Sequence, residues 1–242
     1  MIRRATAWGL AAALWITGQT AQAVECRLAL LLAMDVSSSV DAAEDALQRK
    51  GIAAALIAPE VEAAFLAAPM PVALAAYEWS GRWNQTLILD WTLIRSRADL
   101  VAAARTIAGS QRSETQFPTA MGYALGHGAR LLQTGPRCLF QTIDMAGDGQ
   151  NNEGFGPREA YREFPFAGVT VNGLMVQPTG GAVNADLADF YRGEVLHGPG
   201  AFLEVARGFD DYAEAMRRKL VREVSPRAIG SGPQPTGTRQ PG

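Results

Sequence analysis

The chain has 242 residues, 48% of them hydrophobic and 19% charged, and a formal net charge of −2. This length suits one α/β domain with a core on both faces of a sheet. The near-neutral balance, with no basic stripe or aromatic-interleaved arginine cluster, excludes the electrostatic footprint of a nucleic-acid binder, and beyond the N-terminus no apolar stretch is long enough to span a bilayer.

Residues 1–23 read as a secretory signal peptide. Arg3 and Arg4 form a positive start, Trp8 to Ile16 an apolar centre, and Ala21-Gln22-Ala23 a small-residue cleavage site. The apolar centre is about half the roughly 20 residues a spanning helix needs. The mature chain is therefore expected to begin near Val24, in the periplasm or outside the cell. The paired arginines leave both the general and the twin-arginine export routes open.

Leu28 to Ser39, LALLLAMDVSSS, is an apolar run that ends in one carboxylate and three hydroxyls. Its length and its apolar character at both parities predict a strand buried on both faces of a parallel sheet. Asp41-Ala-Ala-Glu44 has capping-box spacing, so a helix is predicted from there to about Ala58, with Ala46, Leu47, Ala54, Leu56 and Ile57 on its apolar side and Pro59 beyond its end.

Pro71 to Trp79 and Thr86 to Leu93 are predicted strands, and the link between them is too short for a helical crossover. They should therefore pair antiparallel, with the later strand at a sheet edge.

A helix is predicted over Arg97 to Ala108, then a polar loop from Ser110 to Pro118, then a helix from Thr119 to about Gln133. Gly122, Gly126 and Gly128 in that helix suggest close packing on the sheet. Cys138 to Ala146 is a further strand, ending in the polar turn Gly-Asp148-Gly-Gln-Asn151-Asn152. A short helix over Pro157 to Phe166, a strand over Val169 to Val176, a helix from about Asn184 to Tyr191, a short strand near Ala201 to Val205 and an amphipathic helix from Phe209 to Val224 follow. From residue 226 the chain is Pro/Gly-rich, a composition expected to be disordered.

This order predicts a three-layer, doubly wound (Rossmann-like), mostly parallel sheet with one antiparallel edge strand over residues 24–225. Open sheets of this kind bind ligands beyond the carboxyl ends of their strands. The polar ends of the first and fourth strands belong at that edge. Cys26 and Cys138 lie at the opposite ends of the same two strands, so if the strands are neighbours the thiols can meet. Export would let such a bridge persist, and closing a loop of about 110 residues contributes up to roughly 4–5 kcal/mol in the chain-entropy account.

Three loops then offer hard oxygen ligands, which suit Mg²⁺, Mn²⁺ or Ca²⁺. These are Asp35-Val-Ser37-Ser-Ser39, Thr119, and Asp148 between Gly147 and Gly149, whose lack of side chains permits close approach to an ion. In that order, on those elements, DVSSS, the threonine of TAMGYAL and the aspartate of GDGQNN resemble the metal-ion-dependent adhesion site, or MIDAS, of von Willebrand factor type A (VWA) domains. The resemblance implies a divalent cation at Asp35, Ser37, Ser39, Thr119 and Asp148, with an acidic side chain of a protein partner filling the open coordination position. Thr115 competes for the threonine role, but the residues after Thr119 match the family's spacing into the helix. Glu78-Trp79, IDMAGDGQNN, VNGL, HGPGAF and RRKL further resemble a bacterial exported VWA subgroup, the DUF1194 proteins, whose function is unknown.

Several other residues admit two readings. Asn151 and Asn152 could support the ligands or simply form the turn. Asp144, inside its strand, is expected to be a hydrogen-bonded buried acid and not a ligand. Glu78 and Trp79 could meet a partner or pack at the edge. His127 and His197 fall far from the serine cluster in sequence and show no triad or metal-ligand spacing.

The leading functional expectation is an exported module that binds a protein through a divalent cation. The alternative is a Mg²⁺-dependent hydrolase or phosphoryl-transfer enzyme using Asp35. Against the alternative, Ser37 stands where a phosphatase of that kind carries its second carboxylate, and neither a Walker-type loop nor a GxSxG elbow is present.

Overall fold

A computed structural model describes residues 23–177 and 184–226. The export signal expected over 1–23 and the tail expected from 226 lie, but for Ala23 and Pro226, outside the described residues. The elements are β1 (Cys26–Asp35), α1 (Ala42–Leu56), α2 (Pro59–Leu66), β2 (Val72–Ser80), β3 (Asn84–Ile94), α3 (Arg97–Gly109), α4 (Met121–Thr134), β4 (Cys138–Gly147), α5 (Pro157–Glu163), β5 (Val169–Val176), α6 (Ala185–Phe190), β6 (Leu203–Ala206) and α7 (Tyr212–Val224). A single sheet runs β3-β2-β1-β4-β5-β6. Only β3 is antiparallel to its neighbour, and it forms one edge.

β1 occupies the centre because all ten of its residues are buried, which only a strand covered on both faces achieves. Its parity assigns the layers. Leu28, Leu30, Leu32 and Met34 pack with Ile52, Phe65, Leu100 and Leu220 from α1, α2, α3 and α7. Ala29, Leu31 and Ala33 face α4, α5 and α6 through residues such as Leu125, Ala160 and Leu187. Each fully buried leucine contributes about 1.5–3 kcal/mol relative to exposure, so the strand that anchors both layers also carries much of the packing energy.

Cys26 pairs in register with Cys138, and the two form a disulfide with Cα atoms 4.5 Å apart. The bridge ties the N-terminal ends of β1 and β4. Their C-terminal ends remain free to diverge into loops.

The structure corrects several details. Asp41 does cap α1 in a capping box with Glu44, but Leu47, Ala54 and Ile57 are exposed, while Asp45, Gln48 and Arg49 are buried instead. The inward face of α1 is polar because it lies against buried Glu78 and the Asp35 carbonyl, which Arg49 and Gln48 contact. Pro59 does not merely follow a helix. It opens α2 from its first turn, where its missing N–H costs nothing.

Of the three glycines in α4, only Gly128 faces the sheet, where an added Cβ would lie 2.9 Å from Ile143 and from Tyr77. Gly122 and Gly126 lie instead against Phe155 and Phe164. After α6 the chain makes a π turn over Tyr191–Val195.

Asp144 is buried, with Lys219 Nζ 2.6 Å from its Oδ1. The same ammonium lies 2.5 Å from Glu223, and Asn172 donates to Glu223 at 2.7 Å. This cluster ties α7 to β4 and β5.

Candidate metal centre

At the carboxyl end of the sheet, β1 and β4 separate into the two polar loops singled out in the sequence, and the five expected oxygens lie together. Thr119 Oγ1 donates to Ser37 Oγ at 3.2 Å, and Ser37 Oγ lies 3.2 Å from Ser39 Oγ. Ser39 Oγ donates to Asp148 Oδ1 at 2.7 Å. The Ser37 amide donates to Asp35 Oδ1 at 2.8 Å. Asp35 and Ser37 are fully enclosed, Thr119 nearly so, and Ser39 is exposed. The cluster is therefore closed toward the sheet and open on its Ser39–Asp148 side.

Asp35 Oδ2 is buried with no hydrogen-bond partner. Among the described residues neither Asp35 nor Asp148 has an ion pair. Burial first, and then the Asp148 carboxylate, push the Asp35 carboxyl up to about 7. Burial also raises Asp148. The Ser37 hydrogen bonds and the nearby Arg112 guanidinium pull Asp35 the other way without outweighing this, so two acids drawn into one partly dry pocket are left without an ion pair.

The donor set is two carboxylates and three hydroxyls, all hard oxygens, and Asp35 offers an oxygen with no internal use. It fits Mg²⁺, Mn²⁺ or Ca²⁺ by type. Among the described residues, here or elsewhere, no three His, Cys, Asp or Glu side chains gather as a metal-holding group, so hydroxyls make up the rest of this donor set.

The surroundings explain how these groups reach one place. Thr119 is not the cap of α4, which begins two residues later at Met121. Asn151 Oδ1 accepts from the Met121 amide at 2.8 Å, and Asn152 Oδ1 accepts from the Thr119 amide at 2.9 Å. With capping supplied from the β4 loop, the Thr119 hydroxyl is free to turn to Ser37. The Asn pair thus braces the site from behind. An added Cβ at Gly147 would fall 2.9 Å from Asp35 Oδ2 and from the Tyr191 hydroxyl, and one at Gly149 would sit 3.7 Å from Thr119 Oγ1. A side chain at Gly147 would therefore crowd Asp35, while Gly149 leaves ordinary room. Thr115, the competing threonine, is exposed, and its Oγ1 accepts from Gln116.

Arg112, unmarked by any motif, grips the serine loop. Its guanidinium donates to the carbonyls of Val36, Ser37 and Val40 at 2.7, 2.8 and 2.6 Å, and to that of Glu114 at 2.6 Å. The only advance signal is its place in the polar loop before Thr119. Glu78 and Trp79 are both fully buried. Glu78 pairs with Arg49 at 2.5 Å and accepts from the Ser113 amide at 2.7 Å, so it holds the Arg112 loop and presents nothing to a partner.

His127 stands beside Tyr77, where burial lowers its basicity. His197 stacks on Tyr161. Neither joins the cluster.

A central parallel sheet with one antiparallel edge and helices on both faces is a VWA-like fold, here with a hydroxyl–carboxylate cluster at the carboxyl end. Similar solved structures agree. Proximal thread matrix protein 1 from the mussel byssus superposes with a TM-score of 0.57 at 16% identity, over 83% of this chain and 48% of that one. Another structure of the mussel protein is described as having a zinc-occupied MIDAS motif. The von Willebrand factor type A protein from Catenulispora acidiphila gives 0.52 at 16% identity, covering 82% and 43% of the two chains. The pilus adhesin SpaC from Lactobacillus rhamnosus GG gives 0.58 at 13% identity, covering 84% and 31%. The chain spans about half the length of the mussel protein and less of the other two.

No curated protein matches the chain. The family model described as protein of unknown function (DUF1194) matches residues 25–228, and the chain belongs to that family.

Proposed function

We propose that this chain is an exported VWA-type binding module. In this reading residues 1–23 direct export and are removed, residues 24–225 form the domain, and residues 226–242 are a disordered tail. Asp35, Ser37, Ser39, Thr119 and Asp148 hold a divalent cation, Mg²⁺ or otherwise Mn²⁺ or Ca²⁺, and an acidic side chain of a protein partner completes its coordination. The cation would supply a fixed positive charge at the open side of the site. The chain's own residues do the rest: the two acids and three hydroxyls hold the ion, while Asn151, Asn152 and Arg112 fix the loops that carry them.

The observation that carries this reading is the unbroken series of contacts from Thr119 through Ser37 and Ser39 to Asp148, beside a buried Asp35 oxygen with no partner. The zinc-bearing MIDAS of the mussel protein and the adhesin among the similar folds lend it support. Export is supported by the Cys26–Cys138 bridge, since disulfides persist in oxidising compartments. No described helix is long and apolar enough to cross a membrane. The enzyme alternative needs substrate to reach Asp35, which is fully enclosed.

Isothermal titration with MgCl₂ tests the proposal. Saturable uptake by the wild type that weakens at least about tenfold in Asp148→Ala is expected, because removing one hydrogen-bonded charge typically costs more than about 1.4 kcal/mol. No uptake of Mg²⁺, Mn²⁺ or Ca²⁺ by the wild type would end it. Turnover of phosphate or ester substrates that vanishes in Asp35→Asn would favour the enzyme instead.

A further inference from the structure

Beside the oxygen cluster the tip between β2 and β3, the outer face of α4 and the segment after β4 enclose a groove of about 240 Å³. Its wall includes Arg82, Trp83, Tyr123, Arg130, Phe155 and Phe164, and no carboxylate lines it. Trp83 is 88% exposed, far more than any other large apolar side chain among the described residues. An indole left in water at a turn tip contributes nothing to the core, whereas tryptophan, tyrosine and arginine are the side chains that most often anchor protein contacts.

The groove's aromatic floor is already ordered. Tyr123 and Phe155 lie 4.2 Å apart between ring centres, and Arg130 lies over the Phe164 ring at 5.2 Å. Little side-chain freedom remains to be lost there when a partner arrives.

Backbone hydrogen bonds tie the walls of the groove to the loops of the oxygen cluster. The Thr119 carbonyl accepts from the amides of Asn152 and Glu153 at 3.0 and 3.2 Å, and Glu153 pairs with Arg82 at 2.8 Å. The Gly81 amide donates to the Pro118 carbonyl at 2.7 Å, which fastens the Trp83 turn to the residue preceding Thr119. Arg82 is about half exposed, and an ion pair so placed is worth little. A partner's acid can take it over.

We propose that the groove receives the continuation of the protein segment whose acid reaches the cation. That segment would carry an aromatic or branched apolar side chain against Trp83 and Tyr123, and a second acidic residue against Arg82 and Arg130. The inference rests on the cation reading above and adds which face of the rim is used and what the partner offers it. The charge of the wall selects an acidic segment, and the exposed rings select one that is also apolar.

The test selects phage-displayed short peptides on the full chain in MgCl₂, then measures the best peptide by fluorescence anisotropy. Expected are sequences with acids flanking Trp, Phe or Leu, weakened at least about tenfold by Trp83→Ala and by Arg130→Glu, and lost in Asp148→Ala or EDTA. Both groove positions are exposed, and unchanged melting of the two variants confirms that they fold. A peptide with only its groove acid changed to Lys, the cation-directed acid being kept, should recover affinity for Arg130→Glu.

Binding lost only in Asp148→Ala and EDTA would overturn the groove while leaving the cation reading intact. Binding lost in the groove variants but indifferent to EDTA would overturn the link between groove and cation. Enrichment without acids or rings overturns the proposal, as does sedimentation showing that Trp83→Ala dissolves a dimer of this chain.

Discussion

Two buried acid clusters stand on the same sheet and are built to opposite ends. Under α7, Asp144 and Glu223 share the ammonium of Lys219, so the protein supplies its own cation. At the carboxyl end of β1, Asp35 and Asp148 have three hydroxyls and no ion pair among the described residues. A carboxylate taken out of water must find positive charge or keep its proton. The first cluster answers this inside the fold, with the Lys219 ammonium set against burial and Glu223, which still hold Asp144 up to about 7, so its product is structure. The second has no ion pair, only the field of Arg112, so its charge is available to something that comes from solution.

The largest expected effect breaks the self-sufficient cluster. Lys219→Met leaves two enclosed acids unpaired and should cost about 3–5 kcal/mol in urea unfolding. Asp144→Asn leaves one lysine with one glutamate and should cost less than about 1.5 kcal/mol. Equal losses in the two variants would mean that the lysine is not the compensating charge.

At the other cluster the sign reverses. Without added cation and above pH 7, Asp35→Asn should be as stable as the wild type or about 1–2 kcal/mol more so, since it removes an uncompensated buried charge. Saturating MgCl₂, at about 100 times its dissociation constant, should stabilise the wild type by about 2.7 kcal/mol and leave this variant unmoved. A large loss in Asp35→Asn in EDTA would make the carboxylate a structural group like Asp144.

The pH dependence sharpens the same contrast. Asp35 titrates at about 7 in the fold against an ordinary 3.8, so between those values the folded state binds more protons than the unfolded one. Its contribution to stability is fully present below about 3.8 and lost as pH rises through about 7. Melting in EDTA should therefore show this part of the stability declining from pH 4 to 7 in the wild type and not in Asp35→Asn. Added MgCl₂ should stabilise the wild type more at pH 8 than at pH 5, because the cation takes the ionised form.

The smallest effect concerns the brace. Arg112→Gln loses most of four hydrogen bonds to backbone carbonyls and should cost about 1–2 kcal/mol of stability. It should also weaken Mg²⁺ uptake in the same titration by several-fold. An unchanged affinity would show that the serine loop holds its shape unaided.

How legible each part was follows from where its cause lies. The order of the strands, the antiparallel edge at β3, the burial of β1 on both faces and the Cys26–Cys138 bridge were all readable, because each rests on local periodicity, a short link or a strand end, whereas the helix opened by Pro59 was not. So were the five candidate oxygens. A carboxylate and hydroxyls just beyond an apolar strand cannot be there for the core, and the sheet's winding sends such ends to one edge.

What the chain order could not supply was the use made of groups that lie far apart along it. Asn151 takes over the capping of α4 and thereby frees Thr119. Gln48 and Arg49 turn a predicted exposed face of α1 inward because buried partners await them. Arg112 looks like a solvated loop residue until the carbonyls of β1's loop close around it, and Trp83 stands out only once its neighbours leave it uncovered. Local residue type fixed the elements, since backbone preference and burial act over a few positions. Satisfaction of buried polar groups is a property of the assembled molecule, and only the tertiary structure decided which atom would serve which.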